Sequence, residues 1–226
     1  MINKIVRYGI FLLLIPLIVI IGVTIFTDRQ YAFVSLAVAM LACVPFFMVF
    51  EKKEDKNTKK LIILAVMVTL SVLGRFAFVM IPFFKPVTAI VIITAIYFGS
   101  ETGFLCGALS ALLSDFYFGL GPWTPFQMLI WGMIGFIAGI AAQKLKNSRV
   151  TLSIYGILAG IAYSLVMDVW AVLWIDGTFN ITRYGVALFT ALNVTIIYAV
   201  SNVVFLLLFT RPVGKKLERI KIKYGL

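Results

Sequence analysis

Histidine is absent from the 226-residue sequence, and charged residues make up only 13% of it. Without histidine the chain has neither a His-based catalytic triad nor a histidine zinc site. A phosphate-binding loop of the form G-x-x-x-x-G-K-[ST] is also missing, which excludes ATP binding by that route. The two cysteines, Cys43 and Cys106, lie in apolar stretches without metal-ligand spacing. We therefore expect that the protein binds no metal or cofactor and is not an enzyme. The alternative is a membrane enzyme that uses only the carboxylates of Asp115 and Asp168.

Hydrophobic residues make up 62% of the sequence, against roughly 45–50% in soluble domains. They fall into eight runs separated by short polar links: 8–27, 31–50, 61–81, 87–98, 104–118, 126–142, 152–175 and 184–210. A perpendicular membrane helix needs about 20 such residues, so the short fourth and fifth runs require shielding by their neighbours. The sequence predicts an all-α integral membrane protein with eight transmembrane helices.

Basic residues are concentrated in alternate links, and this distribution predicts the orientation. Sixteen of the 20 Lys and Arg residues lie in one set of links, and only Arg29, Lys85 and Arg183 lie in the other. By the positive-inside rule, both termini are cytoplasmic in a multi-pass protein of the cell membrane. The net charge of +11 therefore indicates a lipid bilayer partner and not nucleic acid.

One strongly polar stretch, residues 51–60, divides the predicted helices into two groups. Residues 1–56 are expected to form a two-helix membrane extension with a cytoplasmic linker. Residues 57–226 are expected to form a six-helix substrate-binding core with a basic cytoplasmic tail.

Ionisable residues inside predicted membrane spans are costly, so each is a candidate for function. Arg75, Asp115 and Asp168 are the three in this chain, and the predicted orientation places all of them in the outer half of the bundle. Polar and aromatic residues occur at a similar depth: Trp123, Gln127, Trp131, Trp174 and Asn193. These eight residues predict a substrate-binding cavity that opens to the outside.

Alternatives exist for each part of this site. Arg75 can neutralise Asp115 or Asp168 as a structural ion pair, and tryptophans near helix ends commonly form an interfacial belt. Two links rich in proline and aromatic residues, 82–86 and 119–125, are predicted to act as gating loops. The gating residues are Phe83, Phe84, Lys85, Pro122 and Thr124. Small residues four apart, such as Gly103 and Gly107, indicate close helix packing, with partner docking as the alternative.

Residues 59–211 resemble the substrate-binding S-components of energy-coupling-factor (ECF) vitamin transporters. The resemblance rests on the six-span layout and on three segments, 74–89, 103–115 and 119–128, the last of which looks most like the cobalamin-type S-components. It implies capture of a vitamin, with cobalamin or its precursor the best match, from outside the cell. It also implies docking on an ECF module of one transmembrane coupling subunit and two ATPase subunits, followed by toppling in the membrane.

The sequence departs from the family pattern in two places. Family members usually have six spans, so the first two predicted helices are additional. Docking in the family uses an Ala-x-x-x-Ala pattern on the first core helix, where this chain has Ala65 and Thr69. A secondary transporter of a small polar solute, driven by an ion gradient through Asp115 or Asp168, is the alternative function.

Overall fold

The computed structural model describes residues 55–121 and 123–226. The predicted two-helix extension, residues 1–56, lies almost wholly outside the described residues, as does Pro122, so the predicted domain boundary stays a prediction. The described part of the chain contains eight helices. They are α1 Asp55–Ala77, α2 Val87–Phe98, α3 Ser100–Phe118, α4 Thr124–Ile140, α5 Ala142–Asn147, α6 Arg149–Asp176, α7 Ile181–Thr190 and α8 Leu192–Tyr224.

Three of the described helices are long and apolar enough to cross a membrane. They comprise Thr58–Ala77 of α1, the whole of α6 and the whole of α8. The shorter apolar helices are α2 and α4. At 12 residues α2 is roughly 18 Å long, well short of a hydrocarbon core of about 30 Å. All of α2 except Phe98 is buried, so its neighbours shield it as the sequence predicts.

Helices α3 and α4 pack most closely because glycines leave room for the facing backbone. A Cβ atom on Gly107 would collide with the carbonyl group of Trp131, and one on Gly103 would lie 2.7 Å from the carbonyl oxygen of Gly135. A Cβ atom on Gly139 would likewise meet the backbone of Ser100. The predicted role of the small-residue spacing in packing is confirmed for this helix pair.

Helices α6 and α8 run antiparallel and are joined by polar contacts within their apolar interface. The side-chain amide of Asn202 donates to the carbonyl oxygen of Gly156 at 3.0 Å. One helical turn further along, Gly160 faces the backbone of Ala199, where a Cβ atom would come within 2.7 Å. The hydroxyls of Ser164 and Thr195 are 2.6 Å apart. These contacts fix the register of α8 against α6.

The last predicted span is divided in the structure. Residues 184–210 were expected as one helix, but the helix breaks at Ala191 between α7 and α8. Just before the break, the hydroxyl of Thr190 donates to the carbonyl oxygens of Val186 and Ala187, a local bond that competes with the helical pattern and bends helices. Asn180 caps the start of α7, and its side chain accepts from the amides of Thr182 and Arg183.

The predicted basic tail is also helical, since α8 continues through it to Tyr224. Its inward face carries Gly214 and Leu217, both buried, and Gly214 lies against the ring of Tyr97. Lys221 donates to the carbonyl oxygen of Tyr97 at 3.2 Å, near the end of α2. Glu218 pairs with Lys146 of α5. We refer to this region as the Lys146 end of the bundle and to the opposite one, where α1 ends and α4 begins, as the Arg75 end.

Candidate functional site

A buried ion pair joins α1 to α3 at the Arg75 end. The Nη1 atom of Arg75 lies 2.8 Å from Oδ1 of Asp115, and the side chains are only 11% and 1% exposed. The second carboxylate oxygen, Oδ2, accepts from the hydroxyl of Thr124 at 2.8 Å. Arg75 also donates to the hydroxyl of Ser114. Of the two predicted partners of Arg75, the structure selects Asp115, and this carboxylate is fully bonded.

Thr124, one of the predicted gating residues, is thus part of the ion-pair network. It is the first residue of α4 and is buried. The preceding turn contains Gly119, whose φ of 103° favours glycine, and Gly121, which packs directly on the ring of Trp123. Trp123 is half-buried and meets Trp170 of α6 edge to face, with ring centroids 5.8 Å apart. The turn therefore holds the start of α4 against α6.

A row of aromatic rings extends from Arg75 across the interior of the bundle. The guanidinium of Arg75 lies 4.7 Å from the ring centroid of Phe118 and 5.5 Å from that of Trp131. Trp131 stacks on Tyr163 at 5.0 Å, and Tyr163 meets Tyr198 at 4.8 Å. We name Trp131, Tyr163 and Tyr198 the ring row. The indole N–H of Trp131 donates to Thr88 at 3.2 Å, which fixes the orientation of that ring.

The loop between α1 and α2, one of the two predicted gates, is fastened to α8. The backbone amide of Lys85 donates to the hydroxyl of Ser201 at 2.9 Å, and the same hydroxyl donates to the carbonyl oxygen of Lys85 at 3.1 Å. Phe83 has a φ of 61°, uncommon for a residue with a side chain, and its ring meets Tyr198 at 5.7 Å. Phe84 packs on Phe205 at 5.0 Å. This loop therefore covers the Tyr198 side of the ring row.

Lys85 adds a second cation to this region. Its Nζ atom lies 5.3 Å from the ring centroid of Phe118, on which Arg75 also rests. Burial, followed by the nearby charge of Arg75, lowers the pKa of Lys85 below its ordinary value. Because Asp115 neutralises Arg75, the charge of Lys85 gives this part of the site its positive character.

Asp168, the third predicted ionisable residue, does not join the Arg75–Asp115 pair. It lies on α6 one helical turn beyond Ser164 and is partly buried. Its Oδ2 atom is buried and finds no hydrogen-bond partner among residues 55–121 and 123–226. Gln127 of α4 is 7% exposed, and its Oε1 atom is also buried without a partner in the part of the chain that the structure describes. Both residues therefore have unused hydrogen-bonding capacity.

Other predicted site residues are farther from this centre. Trp174 stacks on Trp170 with centroids 6.4 Å apart, so it extends the Trp123–Trp170 contact along α6. Asn193 is exposed near the start of α8. Ala65 and Thr69 lie on an exposed face of α1, where the Thr69 hydroxyl donates to the Ala65 carbonyl at 2.8 Å.

Sequence reasoning missed Tyr163 and Tyr198, which form two thirds of the ring row. Each lies in the middle of a long apolar run, where a lone tyrosine is indistinguishable from a packing residue. A polar residue near each tyrosine could have marked it as a candidate site residue: Ser164 follows Tyr163, and Ser201 lies three residues after Tyr198. Within residues 55–121 and 123–226, no three metal-ligating side chains cluster in a way that would hold a metal ion.

Comparisons with known proteins agree with the sequence resemblance at the level of the family. The family model of the S component of ECF-type riboflavin transporters matches residues 55–219. The thiamine precursor transporter HmpT of Lactococcus lactis subsp. cremoris (strain MG1363) is 30% identical over 130 residues, which cover 52% of this chain and 78% of the relative. No solved structure matches the chain significantly.

These two matches are transport proteins and not enzymes. Neither of them names cobalamin, so the predicted cobalamin type is not confirmed. The family match covers all of the described helices except the last few residues of α8. The chain is therefore a membrane protein that belongs to the ECF-type S-component family.

Proposed function

We propose that this chain is the subunit of an ECF importer that captures a flat heteroaromatic vitamin, or a precursor of one, at the Arg75 end of the bundle. The ring row is the observation that carries this proposal. Trp131, Tyr163 and Tyr198 pack on one another beside a buried guanidinium, and Trp131 and Tyr163 are each only 5% exposed. A planar ligand that displaces one of these contacts would stack on the freed ring face. Gln127, one helical turn before Trp131 on α4, adds a buried side-chain oxygen that accepts no hydrogen bond within the described part of the chain.

The cellular orientation of this site follows from charge. The Lys146 end carries most of the basic residues in the described part of the chain, so it is assigned to the cytoplasm. The Arg75 end then faces outside, which suits capture of an external nutrient. The loop of Phe83 to Lys85, which covers the Tyr198 side, is the element we expect to move when the ligand enters.

The substrate is proposed to be small and planar because both comparisons point in that direction. The name of the matching family refers to riboflavin, and the name of the relative refers to a thiamine precursor. Riboflavin contains a fused flat ring system, and a flat ring is what the ring row is suited to stack. Cobalamin, the substrate favoured by segment 119–128, is a bulky corrin and serves as the competing ligand in the test.

Energy for uptake is proposed to come from a shared ECF module with one coupling subunit and two ATPase subunits. The chain itself lacks a phosphate-binding loop, so ligand binding should be independent of ATP. The exposed face of α1 that carries Ala65 and Thr69 is the proposed docking surface for the coupling subunit. Helix α1 also carries Arg75, ten residues after Ala65 and six after Thr69, so docking and ligand binding use the same helix.

The test is equilibrium binding of radiolabelled or fluorescent ligands to the purified full-length protein in chelator, without ATP. Riboflavin, thiamine, 4-amino-5-hydroxymethyl-2-methylpyrimidine and cobalamin form the panel. We expect saturable binding of at least one of the three planar ligands and its loss by about tenfold or more in Trp131→Ala. Phe189→Ala is the matched control, because Phe189 is 78% exposed on α7.

Two outcomes would contradict the proposal. If the protein binds cobalamin and none of the planar ligands, its substrate is a corrin and not a planar vitamin. Uptake by liposomes that contain only this chain, driven by a proton or sodium gradient, would favour the secondary transporter.

A further inference from the structure

A notch of about 220 Å³ opens at the Lys146 end of the bundle, between the end of α2, α5 and the last turns of α8. Its wall is formed by Ile96, Tyr97, Lys146, Glu218, Lys221 and Ile222. Two ammonium groups, one carboxylate and two isoleucines therefore meet at one place. This place is at the opposite end of the bundle from the proposed vitamin site.

Both ammonium groups of the notch are positioned by Tyr97. The Nζ atom of Lys221 donates to the carbonyl oxygen of Tyr97 at 3.2 Å, and the Nζ atom of Lys146 lies 5.2 Å from the centroid of its ring. Glu218 holds Lys146 in an ion pair, in which the Lys146 side chain stays 42% exposed. An ammonium group has three N–H donors, so a lysine that makes one such bond can still donate to a ligand.

The surface around the notch is strongly basic. From Arg211 to its end, α8 carries six basic residues and one acidic residue, Glu218. Helix α5 adds Lys144 beside Lys146. Within the notch, two lysines and one glutamate leave one net positive charge. A ligand that complements this charge is an anion.

The notch lies at the depth of the lipid headgroups. The membrane span of α1 begins at Thr58, and the Nζ atom of Lys59 lies 5.7 Å from the ring centroid of Tyr224. The last turn of α8 is therefore level with the membrane boundary of α1, and Lys221 precedes Tyr224 by only three residues, or about 5 Å. Ile222, 82% exposed, adds an apolar surface beside the lysines.

We propose that the notch binds the phosphate group of an anionic phospholipid, with Lys146 and Lys221 donating to the phosphate oxygens and Ile222 contacting the apolar part of the lipid. A phosphodiester carries one negative charge, which balances the net charge of the notch. Basic pockets between membrane helices on the cytoplasmic side commonly take anionic headgroups, and the Lys146 end is the one assigned to the cytoplasm. Inorganic phosphate offers the same oxygens without the apolar part and is the competing source of the ligand.

The experiment measures lipid binding to the purified full-length protein in a non-ionic detergent by native mass spectrometry. Dioctanoyl phosphatidylglycerol is the anionic probe, and dioctanoyl phosphatidylcholine, whose choline cation makes it neutral overall, is the reference. The wild type should bind the anionic probe about fivefold or more tightly than the reference. Lys146→Gln and Lys221→Gln should each weaken binding of the anionic probe about fivefold, the contribution of one basic residue near an anionic lipid.

Lys223→Gln is the matched control. It removes the same charge from the same helix, but Lys223 lies two residues beyond Lys221 and therefore on nearly the opposite face of α8. It should weaken binding of the anionic probe by less than about twofold. Glutamine can still donate to the Tyr97 carbonyl or to Glu218, so the two notch variants should keep the melting temperature of the wild type.

Three outcomes would overturn the proposal. Equal affinity of the wild type for the two lipids would show that the notch does not select an anionic lipid. An equal loss of affinity in all three variants would assign the binding to the basic surface as a whole. Displacement of the anionic probe by an equal concentration of inorganic phosphate would assign the notch to a free anion.

Discussion

Removing one partner of the Arg75–Asp115 pair should cost far more stability than removing both. In Arg75→Leu the carboxylate of Asp115, 1% exposed, keeps only the hydroxyl of Thr124 as a donor. Stranding a buried charge in this way typically costs about 3–5 kcal/mol. The same variant loses the contacts of the guanidinium with Phe118 and Trp131, each worth roughly 0.5–2 kcal/mol. The single variant should therefore be destabilised by at least about 3 kcal/mol.

The double variant Arg75→Leu/Asp115→Leu should recover most of that loss, because an apolar pair of similar volume no longer carries an unpaired charge. Reversible unfolding in mixed detergent, followed by circular dichroism, measures all four proteins of the cycle. The exposed pair Lys146–Glu218, with side chains 42% and 43% exposed, is the control and should change stability by less than about 1 kcal/mol.

Two results would refute this reasoning. If the two single substitutions simply add in the double variant, the residues are not coupled as an ion pair. If the stable double variant binds its ligand with unchanged affinity, the pair is scaffolding and does not belong to the binding site.

Three further predictions concern packing, protonation and topology. Gly107→Val should destabilise the protein by about 1–3 kcal/mol because its side chain meets the Trp131 backbone, whereas Gly185→Ala, at an open helical position, should stabilise it by up to about 1 kcal/mol; both follow from unfolding curves. The lowered pKa of Lys85 means that the unfolded chain holds this proton more tightly. The stability of the wild type relative to Lys85→Met should therefore rise as the pH increases toward 10.5, and a flat difference between pH 8 and 10.5 would contradict it. In a variant without native cysteines, a cysteine at Thr178 should react with an impermeant reagent from outside and one at Lys223 should not, and reversed labelling would overturn the assigned orientation.

The helices of the core were predictable where turn-forming residues lie at both ends of an apolar run. The run 87–98 coincides with α2 because Pro86 precedes it and Gly99 ends it. The break at Ala191 was not predictable, since residues on both sides of it are equally apolar and the bend comes with local bonds of the Thr190 hydroxyl. The helical nature of the tail was overlooked because its charges mask a helical repeat of Val213, Leu217 and Ile220.

The candidate site was predictable in its ingredients but not in its pairing. The energetic cost of placing an ionisable side chain in a membrane was enough to single out Arg75, Asp115 and Asp168. Which carboxylate meets Arg75 depends on the rotation of α1 against α3, across 40 residues of sequence, and hydropathy carries no information on that rotation. For the same reason the sequence did not show that Asn193 is exposed while Thr124 is buried.

A structure of the protein with its tightest planar ligand is the measurement that tests the central claim most directly. The account predicts ligand density at the Arg75 end, with the ring plane within stacking distance of Trp131, Tyr163 or Tyr198. It also predicts a polar ligand atom about 2.7–3.2 Å from the side chain of Gln127 or Asp168. Density at another place in the bundle, with the ring row unchanged and Asp168 still without a partner, would contradict the account.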